Sequence, residues 1–106
     1  MAIAYGICDD KKRKDAILSK IENLMQKEKL FMWPISFFPY QPDEGYKVNY
    51  PFPNYENGDI FLAWGEVGIR AYQDYDPSIP VRYITNVLNQ YEKDGLAFQR
   101  YDRIKQ

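Results

Sequence analysis

A cluster of prolines in the middle of the chain constrains the fold more than any other feature of the sequence. The cluster consists of Pro34, Pro39, Pro42, Pro51 and Pro53. Because proline lacks a backbone N–H donor and has a fixed φ angle, no regular helix can continue through this region. The sequence therefore predicts a long loop over residues 30–56, with helices before and after it.

The same loop holds half of the aromatic residues of the chain. They are Phe31, Trp33, Phe37, Phe38, Tyr40, Tyr46, Tyr50, Phe52 and Tyr55. A connection of this length is uncommon inside a compact domain and is usually either functional or disordered. So many large apolar side chains argue against disorder. We therefore predict a structured, aromatic-rich and proline-rich loop.

The segments on either side of the loop have the periodicity of helices. Apolar residues recur there at intervals of three and four, which favours amphipathic helices. The predicted helices cover about residues 1–7, 11–29, 59–75 and 77–94. Asp76-Pro77 is typical of a helix start and Gly95 of a helix end, so the last two helices form a tight αα-hairpin. The sequence predicts a mainly α chain whose residues 1–106 form a single, partial helical domain.

The predicted hairpin has two apolar faces. In its first helix the face consists of Ile60, Trp64, Val67, Gly68, Ala71, Tyr72 and Tyr75. In its second helix a narrower face consists of Val81, Ile84, Val87, Leu88 and Tyr91. The first face is too wide for one neighbouring helix, which predicts either self-association or packing against further helical hairpins upstream.

Composition excludes several classes of function. The formal net charge is −1, and the basic residues form no run longer than residues 11–14, so nucleic acid is not a predicted partner. No apolar stretch approaches the roughly 20 residues that a membrane span needs. The chain has no histidine, and its one cysteine, Cys8, is expected to be a small buried residue. Neither a metal nor a cofactor is predicted, and any acid-base chemistry would depend on carboxylates.

Three local strings, taken in order, resemble part of a known family. They are residues 2–10 followed by Ala16-Ile17-Leu18, residues 55–61 with Trp64, and Asp76-Pro77. Together they resemble the last part of the catalytic domain of the (α/α)6 toroid, or six-hairpin, glycosidases and related sugar phosphorylases. The resemblance implies αα-hairpins that form part of a toroid, a carbohydrate as partner, and at least one catalytic acid upstream of this chain.

The resemblance also implies candidate site residues where the loop meets the following helix. Glu56, Asn57 and Asp59 would bind sugar hydroxyls there, whereas the alternative is that they form a turn and cap the helix. Asp59 and Glu66 are the candidate catalytic acids, since glycoside hydrolysis needs carboxylates beside the scissile bond. Glu66 precedes Arg70 by four residues, however, which is the spacing of an ion pair on the solvent side of a helix.

The aromatic loop offers candidate surfaces for stacking on sugar rings. Trp33, Tyr40, Tyr46 and Tyr50 are large amphipathic side chains flanked by polar residues. The alternative is that they cover the helix ends as core, and this is the prediction for Phe37, Phe38 and Trp64.

Two hypotheses of function follow from the sequence. In the first, the chain is a fragment of a glycoside hydrolase-like (α/α)6 domain that supplies cavity wall and a sugar subsite and is inactive alone. In the second, it is an autonomous small helical module that binds a protein or a glycan without catalysis.

Overall fold

The computed structural model describes residues 1–44 and 54–105, and these form a mainly helical fold. The three α-helices are α1 (Lys11–Glu28), α2 (Leu62–Tyr72) and α3 (Ser78–Asp94). A 3₁₀ helix spans Tyr55–Asn57, and two short strands are β1 (Ile60–Phe61) and β2 (Arg100–Tyr101). Among the described residues, no helix combines the length and the apolar character that a membrane crossing requires.

Helices α1 and α3 have local signals at their ends that the sequence already contains. The Asp10 side chain accepts a hydrogen bond from the Arg13 N–H (2.6 Å), which satisfies a free donor in the first turn of α1. At the start of α3, Asp76 Oδ1 accepts from the N–H (3.0 Å) and the hydroxyl (2.7 Å) of Ser78. These bonds lower the pKa of Asp76. Gly95 ends α3 with φ at 73°, and its N–H donates to the Tyr91 carbonyl (2.8 Å).

Residues 1–7 form turns instead of the predicted helix. The Tyr5 N–H donates to the Met1 carbonyl (3.1 Å), and the Ile7 N–H donates to the Ala2 carbonyl (2.8 Å). Gly6 adopts a left-handed φ of 73°, which ends the helical geometry after one turn. A single turn gains too few hydrogen bonds to propagate a helix, whatever the apolar content of the segment.

Helix α2 is shorter at both ends than the helix predicted over residues 59–75. Ile60 and Phe61 are extended and pair antiparallel with β2, Ile60 opposite Tyr101. On its other side Ile60 bridges to Pro34, and the Ile35 N–H donates to the Asp59 carbonyl (2.9 Å). These bonds come from distant parts of the chain, so they delay the start of α2 where local periodicity alone favours helix.

The core is built around a stack of aromatic rings from the loop, α2 and α3. The Trp33 ring is stacked on Tyr72 at a centroid distance of 5.5 Å and lies 4.3 Å from the Tyr83 centroid. The Tyr72 hydroxyl donates to the Leu18 carbonyl of α1 (2.6 Å), and the Tyr83 hydroxyl donates to Glu22 (3.0 Å). The stack therefore joins all three helices and the loop.

Two glycines of α2 allow the loop to approach the helix closely. A Cβ atom on Gly68 would lie 2.4 Å from Cε3 of Trp33, well inside van der Waals contact. A Cβ atom on Gly65 would lie 2.9 Å from the sulfur of Met32. The absence of side chains at these two positions is what permits Met32 and Trp33 to lie against α2.

The apolar face predicted for α3 is largely exposed. Val81, Ile84, Leu88 and Tyr91, which we call the α3 stripe, have exposed fractions of 63%, 44%, 59% and 50%. The buried side of α3 carries Ile79, Pro80 and Tyr83 instead. Of the predicted face only Val87 packs against the core, because the helix buries the side that carries Tyr83 against Trp33.

We expect Gly68→Ala to lower the free energy of unfolding by about 1–2 kcal/mol. Overpacking against the rigid Trp33 ring costs about 1–3 kcal/mol, which exceeds the gain of up to about 1 kcal/mol in helix propensity. Gly65→Ala is the matched control, since the flexible end of Met32 can move aside, and we expect it to be close to neutral. Urea denaturation followed by circular dichroism measures both. Equal stability of the two variants would contradict the close approach of Trp33.

Candidate functional site

Asn57 joins the two arms of the aromatic loop. Its side-chain oxygen accepts from the Tyr40 N–H (2.8 Å), and its side-chain nitrogen donates to the Tyr40 carbonyl (2.8 Å). Asn57 was predicted either to bind sugar hydroxyls or to form a turn. Its amide is engaged by the backbone of Tyr40, so its role in this structure is to fix where the loop meets the 3₁₀ helix.

Exposed side chains surround this clamp. Phe38 is 71% exposed, Tyr40 is 69% exposed, and the adjacent Glu56 is also exposed. We call Phe38, Tyr40 and Glu56 the loop-junction surface. The prediction that Phe38 belongs to the core is wrong. The backbone turns at this point, where the Ser36 hydroxyl donates to the Phe38 carbonyl (3.1 Å), and the Phe38 side chain faces outward. Exposed aromatic faces suit stacking on a sugar ring.

Asp59, a candidate in both the catalytic and the binding set, is buried. It is 1% exposed and forms an ion pair with Arg100. The backbone N–H groups of Tyr55 (2.6 Å) and Arg103 (3.1 Å) also donate to its carboxylate. All of its strong interactions lie within the protein, so the structure gives Asp59 the role of a structural anion rather than a group at a cavity mouth.

Arg103 extends the hydrogen-bond network around Asp59. The sequence did not indicate a role for this residue. Its guanidinium makes a two-point ion pair with Glu28 (2.8 and 2.6 Å). It also donates to the carbonyls of Ser36 (2.8 Å) and Phe37 (3.1 Å). The partners are so far apart in the chain that no local pattern could have shown that they meet.

Glu66, the other candidate acid, lies on the outer side of α2. It accepts a hydrogen bond from Arg70 Nε (2.9 Å), and its side chain is 65% exposed. This is the ion pair that the spacing of four residues indicated as the alternative to catalysis. Asp59 is buried and Glu66 is paired, so neither has the free, partly enclosed environment of a catalytic acid. The described residues also contain no group of three or more potential metal ligands.

The predicted stacking aromatics fall into different environments. Trp33 is core, with 8% of its surface exposed, and its indole N–H has no hydrogen-bond partner in the described part of the chain. Tyr46 and Tyr50 lie outside the described residues. Trp64, predicted to be core, is 47% exposed, because Trp33 occupies the position over Gly68 that would otherwise bury a neighbouring aromatic.

Two clefts flank the core. An apolar groove of about 450 Å³ lies between α1, α2 and the loop, and Trp33, Phe37, Trp64, Val67, Ala71 and Tyr72 contribute to its lining. A second cleft of about 460 Å³ lies between the end of α1 and α3 and has a mixed polar and apolar lining. The sequence indicated neither cleft, because each is formed by elements that are distant in the chain.

Comparison of the chain with protein-family models, curated proteins and solved structures finds no match. The contacts of the described residues and the resemblance stated above are therefore the basis for a proposal of function.

The buried tyrosines predict a loss of stability at alkaline pH. Burial raises the pKa of Tyr83 to about 12, and the Glu22 carboxylate adds to the shift. Burial likewise raises the pKa of Tyr72, against a smaller opposing effect of the Trp33 indole. The unfolded chain releases these protons at about pH 10, so the stabilisation is complete below that pH and is lost as the pH rises through 12.

Urea denaturation at about pH 8 and about pH 11.5 measures this effect, and we expect the free energy of unfolding to fall between them. Tyr83→Phe should show a smaller fall, since it keeps the ring but removes one ionisable group. Equal falls in the variant and the parent chain would show that Tyr83 does not contribute.

The two candidate acids should differ sharply in their effect on stability. Asp59→Asn removes the buried charged acceptor of the Tyr55 and Arg103 N–H groups, and we expect it to lower the free energy of unfolding by about 1–3 kcal/mol. Glu66→Gln removes an exposed pair and is expected to leave the unfolding midpoint unchanged within error. Thermal and urea denaturation of both variants provide the measurement. A stable Asp59→Asn chain would show that the carboxylate is not a structural anchor.

Proposed function

We propose that this chain is a non-catalytic sector of a glycoside hydrolase-like helical domain. In this proposal it forms part of the wall of the domain and contributes a carbohydrate-contacting surface, and the catalytic acids belong to other hairpins. The observation that carries the proposal is the exposed α3 stripe.

The α3 stripe is a row of exposed apolar side chains along one side of α3. Its four members are spaced at three, four and three residues, so they form one continuous row along the helix. On the opposite side, Tyr83 packs in the aromatic stack. A helix that is apolar on two sides is typical of a helix packed between two layers of a protein. A contiguous exposed apolar surface marks an interaction site. Further helical hairpins are the occupant that matches its shape.

The loop-junction surface supports a carbohydrate as the ligand of such a domain. Of its members, Glu56 belongs to residues 55–61, one of the strings that resemble the six-hairpin enzymes, and the exposed Phe38 and Tyr40 precede that string in the chain. The Asn57 clamp holds the Tyr40 backbone in place. Preorganised aromatic faces lose little entropy when they bind, which favours sugar stacking.

The environments of the two candidate acids support the absence of catalysis in the isolated chain. Asp59 has no exposure to a substrate, and Glu66 is tied to Arg70. Hydrolysis of a glycosidic bond needs an acid and a second carboxylate on either side of that bond. In this proposal both acids therefore come from other hairpins of the same domain.

A second candidate function is an autonomous binding module, and one observation favours it. Ion pairs of Asp59 with Arg100 and of Glu28 with Arg103 tie the C-terminal segment to the rest of this chain. A module of this kind would use the loop-junction surface to bind a glycan or a protein, and its α3 stripe would remain in contact with water.

Light scattering coupled to gel filtration distinguishes the two functions. If the α3 stripe is an interface, the isolated chain should self-associate as its concentration increases over about two orders of magnitude, because a second stripe replaces the absent hairpins. Leu88→Lys should shift the equilibrium to monomer. Asn89→Lys is the matched control, since it adds the same charge at the next, exposed position outside the stripe and should leave association unchanged.

A monomer at every concentration would contradict the sector proposal and favour the autonomous module. Turnover of aryl glycosides by the repurified chain would contradict the assignment of the catalytic acids to other hairpins.

A further inference from the structure

The cleft between the end of α1 and α3 is lined by basic, carboxamide and aromatic side chains. Its volume of about 460 Å³ is within the range of small-molecule sites. The C-terminal end of α1 forms one wall and α3 forms the other. It shares no residue with the loop-junction surface, and the proposed function makes no use of it.

The charged residues that line the cleft are basic, namely Lys29, Arg82 and Lys93. Arg82 is paired with Glu22 next to the cleft, and Asp94 accepts a hydrogen bond from Gln90 (2.8 Å). The charge that the cleft offers to an anion therefore comes from Lys93 rather than from Arg82. Lys93 is exposed on the last turn of α3, so its ammonium group is accessible to a ligand.

Carboxamides supply the remaining polar groups of the cleft. Gln26, Asn86, Asn89 and Gln90 each carry both a donor and an acceptor, which is what a sugar hydroxyl needs. Three of them are held in orientation. Asn86 donates to the Phe31 carbonyl (3.3 Å), Gln26 donates to Glu22 (2.7 Å), and Gln90 donates to Asp94.

Aromatic rings complete the lining. Phe31 and Tyr83 both contribute to the lining, and each ring packs against another aromatic ring of the core. Phe31 packs edge-on against Tyr101 at 5.0 Å, and Tyr83 packs against Trp33 at 4.3 Å. A cleft with aromatic rings, amides and an accessible ammonium group matches a ring-shaped ligand that has hydroxyl groups and one anionic group.

We propose that this cleft binds an anionic sugar, with Lys93 pairing with the anionic group and the carboxamides of α3 contacting the hydroxyls. The anion is either a carboxylate, as in a uronic acid, or a phosphate ester. This inference goes beyond the proposed function and stands independently of it.

Isothermal titration calorimetry at low salt tests the proposal with four probes: glucuronate, glucose 6-phosphate, glucose and inorganic phosphate. We expect one or both anionic sugars to bind about tenfold more tightly than glucose or phosphate alone, since one charged contact accounts for about that factor. Tighter binding of glucuronate would identify the carboxylate as the preferred anion, and tighter binding of glucose 6-phosphate would identify the phosphate ester.

Single substitutions test whether the sugar binds in this cleft. Lys93→Gln should weaken the preferred anionic sugar about tenfold and leave glucose unchanged, while Asn89→Ala should weaken the sugar but not inorganic phosphate. Lys20→Gln is the matched control, because it removes the same charge from an exposed position of α1 outside the cleft. Circular dichroism checks that each variant is folded.

Equal affinity for all four probes, or an unchanged affinity in folded Lys93→Gln, would overturn the proposal. Either result is independent of the self-association of the α3 stripe, so the failure of one proposal leaves the other standing.

Discussion

The structure depends on one buried carboxylate, that of Asp59. This group lies between the loop and α2, and its oxygens bind the backbone of Tyr55 and of Arg103 as well as the guanidinium of Arg100. A buried charge is stable only when it is paired and fully hydrogen-bonded. Asp59 meets that condition with groups from the loop and the C-terminal segment, and therefore fixes their positions relative to the start of α2.

The second constraint is the close packing of Trp33 on α2. Gly68 leaves room for the indole, and the indole in turn determines which sides of α2 and α3 are buried. Tyr72 and Tyr83 turn toward it from the two helices, so the apolar residues on their other sides remain at the surface. The exposed α3 stripe and the exposed Trp64 are thus consequences of a core that one large loop residue fills.

Local signals made part of this fold predictable. Asp10 and Gly95 act through hydrogen bonds within one turn of a helix, so the bounds of α1 and α3 could be derived within one or two residues. The start of α2 could not, because Ile60 pairs with Tyr101 and no local pattern contains that partner. Periodicity likewise identified the apolar face of α3, but a one-dimensional pattern does not contain the position of Trp33, which decides whether that face is covered.

The candidate site was predictable to a similar degree. The sequence indicated either a binding site or a turn at the junction around Asn57 and Asp59. The structure shows contacts there that hold the loop together. The sequence could not distinguish buried from exposed aromatic residues. Trp33 and Tyr40 have similar neighbours in the sequence, but Trp33 is buried and Tyr40 is exposed. Nor could the sequence show the role of Arg103, whose partner Glu28 is 75 residues away.

The contacts of Arg103 also have a dynamic consequence. This one guanidinium holds the end of α1 through Glu28 and the loop through the carbonyls of Ser36 and Phe37. Local opening of the C-terminal strand would release all three at once and leave Asp59 partly unpaired. These segments therefore form one cooperative unit of native-state opening, in which hydrogen exchange at the strand and at the loop follows a single free energy.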